Sequence, residues 1–149
     1  MANIVANSDK LFLDQYLNGE IDKNSILPNP IGAYLNARVT NVDIESYKLS
    51  MSFEGLENML NGAGVIQGGI ITAMLDITMA LSVLSHVKSD NSVATISINT
   101  DFLNIAKIGV FYAEAEITRM GRNIAFTKAM LKDKEDKLIA SATANFAII

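Results

Sequence analysis

Cysteine is missing from these 149 residues, which rules out a disulfide framework, a thiolate nucleophile and thiolate metal ligands. That fits a reducing compartment. Histidine is nearly missing as well. The single His86 lies past the most apolar part of the chain, beside Lys88 and Ser89, where a surface or helix C-terminal role suits it better than acid–base work. Positive charge is scarce, with 12 Lys and Arg against 16 Asp and Glu and a net charge of −4. Nucleic acid and anionic membrane surfaces demand a basic face, so neither is an expected partner, and any anionic ligand would need a local cluster of cations. The sequence offers no phosphate loop, metal-ligand cluster, Ser/His/Asp arrangement, internal repeat or low-complexity tract, and no metal is expected. The opening Met1 to Lys10 lacks a basic segment followed by an apolar run, so no signal peptide is expected and a cytoplasmic location is.

What the chain has in quantity is apolar material. Hydrophobic residues make up 50% and charged residues 19%, enough for one domain with a real core. The densest run is Val65 to Leu84. As a membrane span it is a poor fit, because it holds Gln67, two glycines, two threonines and Asp76, which alone would cost roughly 2.5–3.5 kcal/mol in a bilayer. From Gly69 onward it is apolar at almost every position, the pattern of a helix buried all round. Asp76 is the one charge in it. An ionised carboxylate in such surroundings costs several kcal/mol unless paired or solvated, so its presence points to chemistry.

Upstream, Gly62, Gly64, Gly68 and Gly69 crowd into eight residues, a density that lets a ligand approach the backbone closely. Gly68 and Gly69 are expected to open the helix. Its first N–H groups lack intrahelical partners and carry partial positive charge, which suits an oxygen gaining negative charge. Asp76 comes seven residues after Gly69, on nearly the same face but about 10 Å further along at 1.5 Å per residue. If both ends act on one small group, two antiparallel copies of the helix are required.

Around this stretch the period varies. Residues 8–18 space Leu11, Phe12, Gln15 and Tyr16 as a short helix with Ser8 as N-cap and Gly19 as stop. Pro28-Asn29-Pro30 predicts an extended turn with nothing helical after it. From Gly32 the period is two: Leu35, Ala37 and Val39, then Leu49, Met51 and Phe53, mark two half-buried strands, the second ended by Gly55. Beyond a helix end near His86 to Asn91, four more strands are predicted at 93–102, 109–119, 123–132 and 137–148. Short polar turns at Met120 to Arg122 and Asp133 to Asp136 make the last three an antiparallel meander. Two strands, one helix and four strands predict an α+β domain with a six-stranded antiparallel sheet curled about a single central helix. Residues 1–31 form the N-terminal helix and lead-in and 32–149 the core. Such a sheet leaves edges and an apolar rim, so a dimer is the minimum expected assembly.

Asn61, Gln67-Gly68-Gly69, Asp76, Ala94-Thr95-Ile96, Ala106-Lys107-Ile108-Gly109, Gly121-Arg122 and Lys137-Leu138-Ile139-Ala140 together resemble the hotdog-fold acyl-CoA thioesterases of the PaaI-like, phenylacetate-degradation branch, over about residues 32–148. The resemblance implies that Asp76 is the general base or nucleophile and that the Gly68 N–H is an oxyanion donor, worth about 2.7–4 kcal/mol if it behaves like others of its kind. Asn61 matches the residue that helps hold the water or the carboxylate, and Thr95 a hydroxyl lining the same pocket. Gly69 shares the helix entrance, and the two halves of the site come from different subunits. In that family histidine is common where this chain has Gln67. Glutamine can still donate to a thioester carbonyl but cannot titrate near pH 7. Lys107, Arg119 and Arg122 are the candidate cations for the phosphates of CoA, which is part of the substrate; no cofactor is implied. The family favours a dimer of dimers.

Other readings stay open on the residues alone. Asp76 could be satisfied by Thr72, Gln67 could brace the helix entrance, and Thr95 could be an ordinary strand threonine. Glu114 and Glu116 read as exposed alternation on one strand face, and Lys132 to Lys137 as a solvated turn. The protein as a whole could be a non-catalytic acyl-CoA sensor, or an enoyl-CoA hydratase or dehydratase, although the latter normally needs a histidine pair.

Overall fold

The computed structural model describes residues 6–149; the absence of a targeting segment, read in part from Met1 to Val5, concerns residues outside that range. Helix α1 (Ser8–Leu17) is capped by Asn7, one residue before the expected Ser8, and the Asn7 side chain accepts from the Asp9 and Lys10 N–H groups. It buries Phe12, Leu13 and Tyr16 and packs on the central helix. The expectation that nothing helical follows the prolines is corrected. Pro30 opens a short helix α2 (Pro30–Tyr34), with the Asn29 side chain capping Gly32 N–H at 2.7 Å. Proline is well placed there, because its missing N–H is one the first turn would leave unpaired anyway. The first strand consequently begins at Arg38 rather than Leu35.

The strands are β1 (Arg38–Asp43), β2 (Lys48–Gly55), β3 (Val93–Phe102), β4 (Gly109–Met120), β5 (Ile124–Asp133) and β6 (Leu138–Ile148), paired antiparallel in the order β1-β2-β4-β5-β6-β3. Between β2 and β3 runs the central helix α3 (Gly68–Leu84), which touches all five strands from β2 to β6. The inward residues of the middle strands are largely small: Ala113, Ala115, Ala129, Ala142 and Ala144 are buried. With little side-chain bulk on that face, the backbone of α3 can lie close to the sheet. Phe53, Phe111 and Phe146 fill the ends. On the helix, Met74, Leu75, Met79 and Leu81 are fully buried, each worth about 1.5–3 kcal/mol.

Burial of α3 is not uniform, and this corrects the all-round burial its composition suggested. Gly69, Thr72, Ala73, Asp76 and Ala80, spaced three or four apart, form a half-buried to exposed stripe. The apolar pattern is blind to it because the stripe is made of small residues rather than charged ones.

Strand β3 closes one edge of the sheet and is exposed along most of its length. Its pairing with β6 slips between Thr95 and Ser97, leaving Ile96 as an extra residue. Such a bulge reverses the in–out alternation on either side of it. No helix among the described residues is long and apolar enough to cross a membrane.

Candidate active site

Asp76 projects from the open stripe of α3 toward β3, where the Thr95 hydroxyl donates to its Oδ1 at 2.9 Å. One turn earlier, Thr72 and Thr100 hydroxyls meet at 3.1 Å. Thr95 and Thr100 are five residues apart, so a regular strand would send them to opposite faces. The bulge at Ile96 turns Thr95 back toward the helix. Thr95, and not Thr72, therefore partners the carboxylate.

Burial pushes the Asp76 carboxyl above the usual carboxylate range, with the Thr95 hydrogen bond pulling partly the other way. Its second oxygen accepts no hydrogen bond among the described residues, and no buried side-chain oxygen there is left without a partner, so Oδ2 remains reachable from outside. A half-buried, single-bonded carboxylate with a raised pKa is a better proton acceptor than a solvated one.

The other end of the stripe is the entrance of α3. Gln67 is its N-cap, yet its exposed side chain makes no capping hydrogen bond among the described residues. The Gly68 and Gly69 N–H groups find no acceptor among the described residues. Asn61 spends its side-chain oxygen on the preceding loop, accepting from Ala63 N–H at 2.9 Å and Val65 N–H at 3.4 Å. It shapes the approach to the helix, and its amide N–H groups find no acceptor among the described residues. A groove of about 360 Å³ opens here, walled by Ile66, Gly68, Ile71, Phe102, Leu103 and Ile105. Phe102 sits so close that a Cβ on Gly68 would be 3.3 Å from its ring. From sequence, Phe102 was only the last residue of a strand.

Gly68 and Asp76 stand eight residues apart on one rigid helix, about 12 Å along its axis, so one subunit does not bring them onto a common reacting atom. Of the expected cations, Lys107 lies at the groove end of the molecule, while Arg119 and Arg122 flank the far turn of β4, nearer the β3 end that holds Thr95. His86 is engaged elsewhere: its ring stacks on Tyr47 at 4.7 Å, and its nitrogens lie 2.9 Å and 3.0 Å from the Ser82 and Ile44 carbonyl oxygens. Glu114 and Glu116 pair with Lys48 and Lys128 on the outer face of the sheet.

An antiparallel six-stranded sheet wrapped on one long helix is the hotdog architecture. Residues 63–140 match the family model of the thioesterase superfamily, and the chain belongs to that family. A solved structure from Ralstonia eutropha, a phenylacetic acid degradation-related protein provisionally described as a thioesterase, is 30% identical. It superposes with a TM-score of 0.81 over 91% of this chain and 98% of its own. The Escherichia coli PaaI protein of the phenylacetic acid degradation operon shares the fold at a TM-score of 0.75 and 17% identity, covering 95% of each chain. A Saccharolobus solfataricus protein provisionally named an esterase is 27% identical over 116 residues, 78% of this chain and 81% of that one. The protein is thus a thioester hydrolase by family.

Proposed function

We propose that the protein hydrolyses an acyl-CoA to a carboxylate and free CoA at a site shared by two copies of the chain. The observation that carries this reading is the Asp76 carboxylate, raised in basicity by burial, oriented by Thr95, and lying on the same helix as the Gly68 N–H, which finds no acceptor among the described residues. The thioester carbonyl oxygen accepts from Gly68 N–H of one copy, with the Gln67 amide and the Asn61 amide as further donors. Asp76 of the other copy takes the proton from the attacking water, or attacks the carbonyl carbon itself. The C–S bond breaks and CoA leaves as its thiolate, which takes up the proton that Asp76 removed from water; in the direct-attack route the intermediate is an acyl-aspartyl mixed anhydride, which water then hydrolyses to the free acid and the regenerated carboxylate.

The dimer in this reading forms where β3 and the α3 stripe meet a two-fold mate. Support comes from the unpaired edge of β3, from the exposed Ile96, Phe102, Leu103 and Ile105 beside it, and from the separation of Gly68 and Asp76 along one helix. Antiparallel mates would bring Lys107 of one copy toward Arg119 and Arg122 of the other. A dimer of dimers and a cytoplasmic location belong to the same reading.

The test is thiol release across short, medium, branched and aryl acyl-CoAs, for the native chain and for Asp76→Ala. A positioned base contributes about 100- to 10,000-fold, so the variant should lose most turnover while keeping its fold. Near-native hydrolysis of every active substrate by Asp76→Ala ends the proposed mechanism. Binding of acyl-CoA by the native chain with no thiol released marks a sensor instead.

A further inference from the structure

We propose that Thr72 stands at the two-fold axis of the dimer and, through its hydroxyl bond to Thr100, fixes the register in which Gly68 of one copy meets Asp76 of the other; the inference rests on the shared-site reading above. Antiparallel helices related by a two-fold axis exchange their levels about one midpoint. If Gly68 of each faces Asp76 of its mate, that midpoint is residue 72, and Thr72 faces its own copy. Thr72 belongs to the half-buried to exposed stripe of α3, together with Gly69, Ala73 and Asp76.

Strand β3 gives the midpoint a second time. Phe102 lies at the level of Gly68, where an added Cβ would be 3.3 Å from its ring, and Thr95 lies at the level of Asp76, to which its hydroxyl donates at 2.9 Å. Halfway between Thr95 and Phe102 are Ile98 and Asn99. Beside them is Thr100, whose hydroxyl accepts from Thr72 at 3.1 Å. Helix and strand thus place the axis at the same hydroxyl contact.

A hydroxyl has a use there that a methyl lacks. Thr72 donates to Thr100, and the Thr100 hydroxyl donates to nothing among the described residues. Its proton suits the Thr72 oxygen of the mate, so that four hydroxyls from two copies close a ring across the axis. Contacts between small apolar side chains tolerate sliding, whereas a hydrogen-bonded ring holds its length and angles at one register only. A slip of one helical turn, about 5.4 Å, would carry Gly68 away from the carboxylate it serves. Thr72 is therefore a positioning residue that touches neither substrate nor Asp76.

Because the chain has no cysteine, a thiol introduced at one position reports on that position alone. Helix axes about 8–10 Å apart, with Cα atoms about 2.3 Å off each axis, leave Thr72 and its mate about 3.5–5.5 Å apart. A disulfide needs Cα atoms within about 7 Å. Each residue away from the axis adds about 3 Å to the distance between a position and its own copy, which puts Ala80 about 24 Å from its mate. Thr72→Cys oxidised with diamide should run as a covalent dimer on a non-reducing gel, and Ala80→Cys should not. Thr72→Val keeps the shape and loses the hydroxyl, so kcat for an active acyl-CoA should fall about tenfold with KM and sedimenting mass unchanged, while Thr72→Ser stays near native. A dimer that hydrolyses acyl-CoA yet forms no disulfide through Thr72→Cys, or forms it through Ala80→Cys, overturns the axis and leaves the thioesterase reading standing. Native kcat in Thr72→Val overturns the positioning role. A native chain that sediments as a monomer and releases no thiol from any acyl-CoA overturns both readings.

Discussion

Thr95 and Thr100 stand five residues apart on one strand and both hydrogen-bond to the same helix, Thr95 to Asp76 and Thr100 to Thr72. Strand geometry forbids this without an insertion, and the extra Ile96 supplies it. The strand edge thereby presents a second hydroxyl to α3 just where the helix carries its carboxylate.

Removing that hydroxyl should move the pH profile. The Thr95 bond holds the Asp76 pKa below where burial alone would put it, so Thr95→Val should raise it further. The acid limb of kcat/KM then shifts to higher pH, and activity at neutral pH falls about tenfold. Thr95→Ser should keep both near native. Unshifted limbs in Thr95→Val would mean that the hydroxyl does not act on the base.

Asp76→Asn separates stability from activity. The folded carboxyl titrates above its unfolded value because burial disfavours the charge, so the native state holds its proton to higher pH than the unfolded chain. Stability from this group is complete below the unfolded pKa and is lost as pH rises through the folded one. The asparagine variant lacks that loss. Thermal melts from about pH 4 to 8 should show it gaining on the native protein as pH rises, and at least as stable at neutral pH, with turnover down by about 100-fold or more. A variant that loses stability relative to native with rising pH would contradict the sign.

Much of this was legible in the residues. The glycines and the aspartate on one helix, the period-two strands and the polar turns of the meander fixed element order and the principal site positions, because each has a strong local cause. What escaped has non-local causes. The open stripe on α3 is composed of Gly69, Thr72, Ala73 and Ala80, residues whose types fit either burial or a partner. The Ile96 bulge depends on registration with β6 and leaves no local mark. Phe102 takes its place as groove wall only where β3 meets the helix entrance. The helix at Pro30 escapes a terminator rule for proline because the ring serves there as the helix's first residue.

Gly68→Ala tests the groove by steric means. Its Cβ would meet the Phe102 ring at 3.3 Å, so the ring must shift by a few tenths of an ångström while the backbone N–H is retained. kcat/KM should drop by roughly tenfold through this displacement. Pairing it with Phe102→Leu, which relieves the contact, should restore most of the loss. If the double variant is no better than Gly68→Ala alone, the effect lies in the helix entrance itself rather than in the ring.

Gly69→Ala discriminates between an open stripe and a covered one. Nothing in its own subunit lies within 4 Å of the added methyl, and alanine is the better helix former, so an isolated subunit should tolerate or gain from the change. If a second copy packs its helix there, the methyl overfills a close contact, at a cost of about 1–3 kcal/mol. We expect the second outcome: sedimentation should show dissociation of the dimer rising by about tenfold or more, and activity falling as the subunits part. Should the variant melt higher, keep its assembly state and hydrolyse substrate normally, the stripe faces solvent. Asp76 would then have no route to the Gly68 entrance of another chain, and the shared site would have to be abandoned.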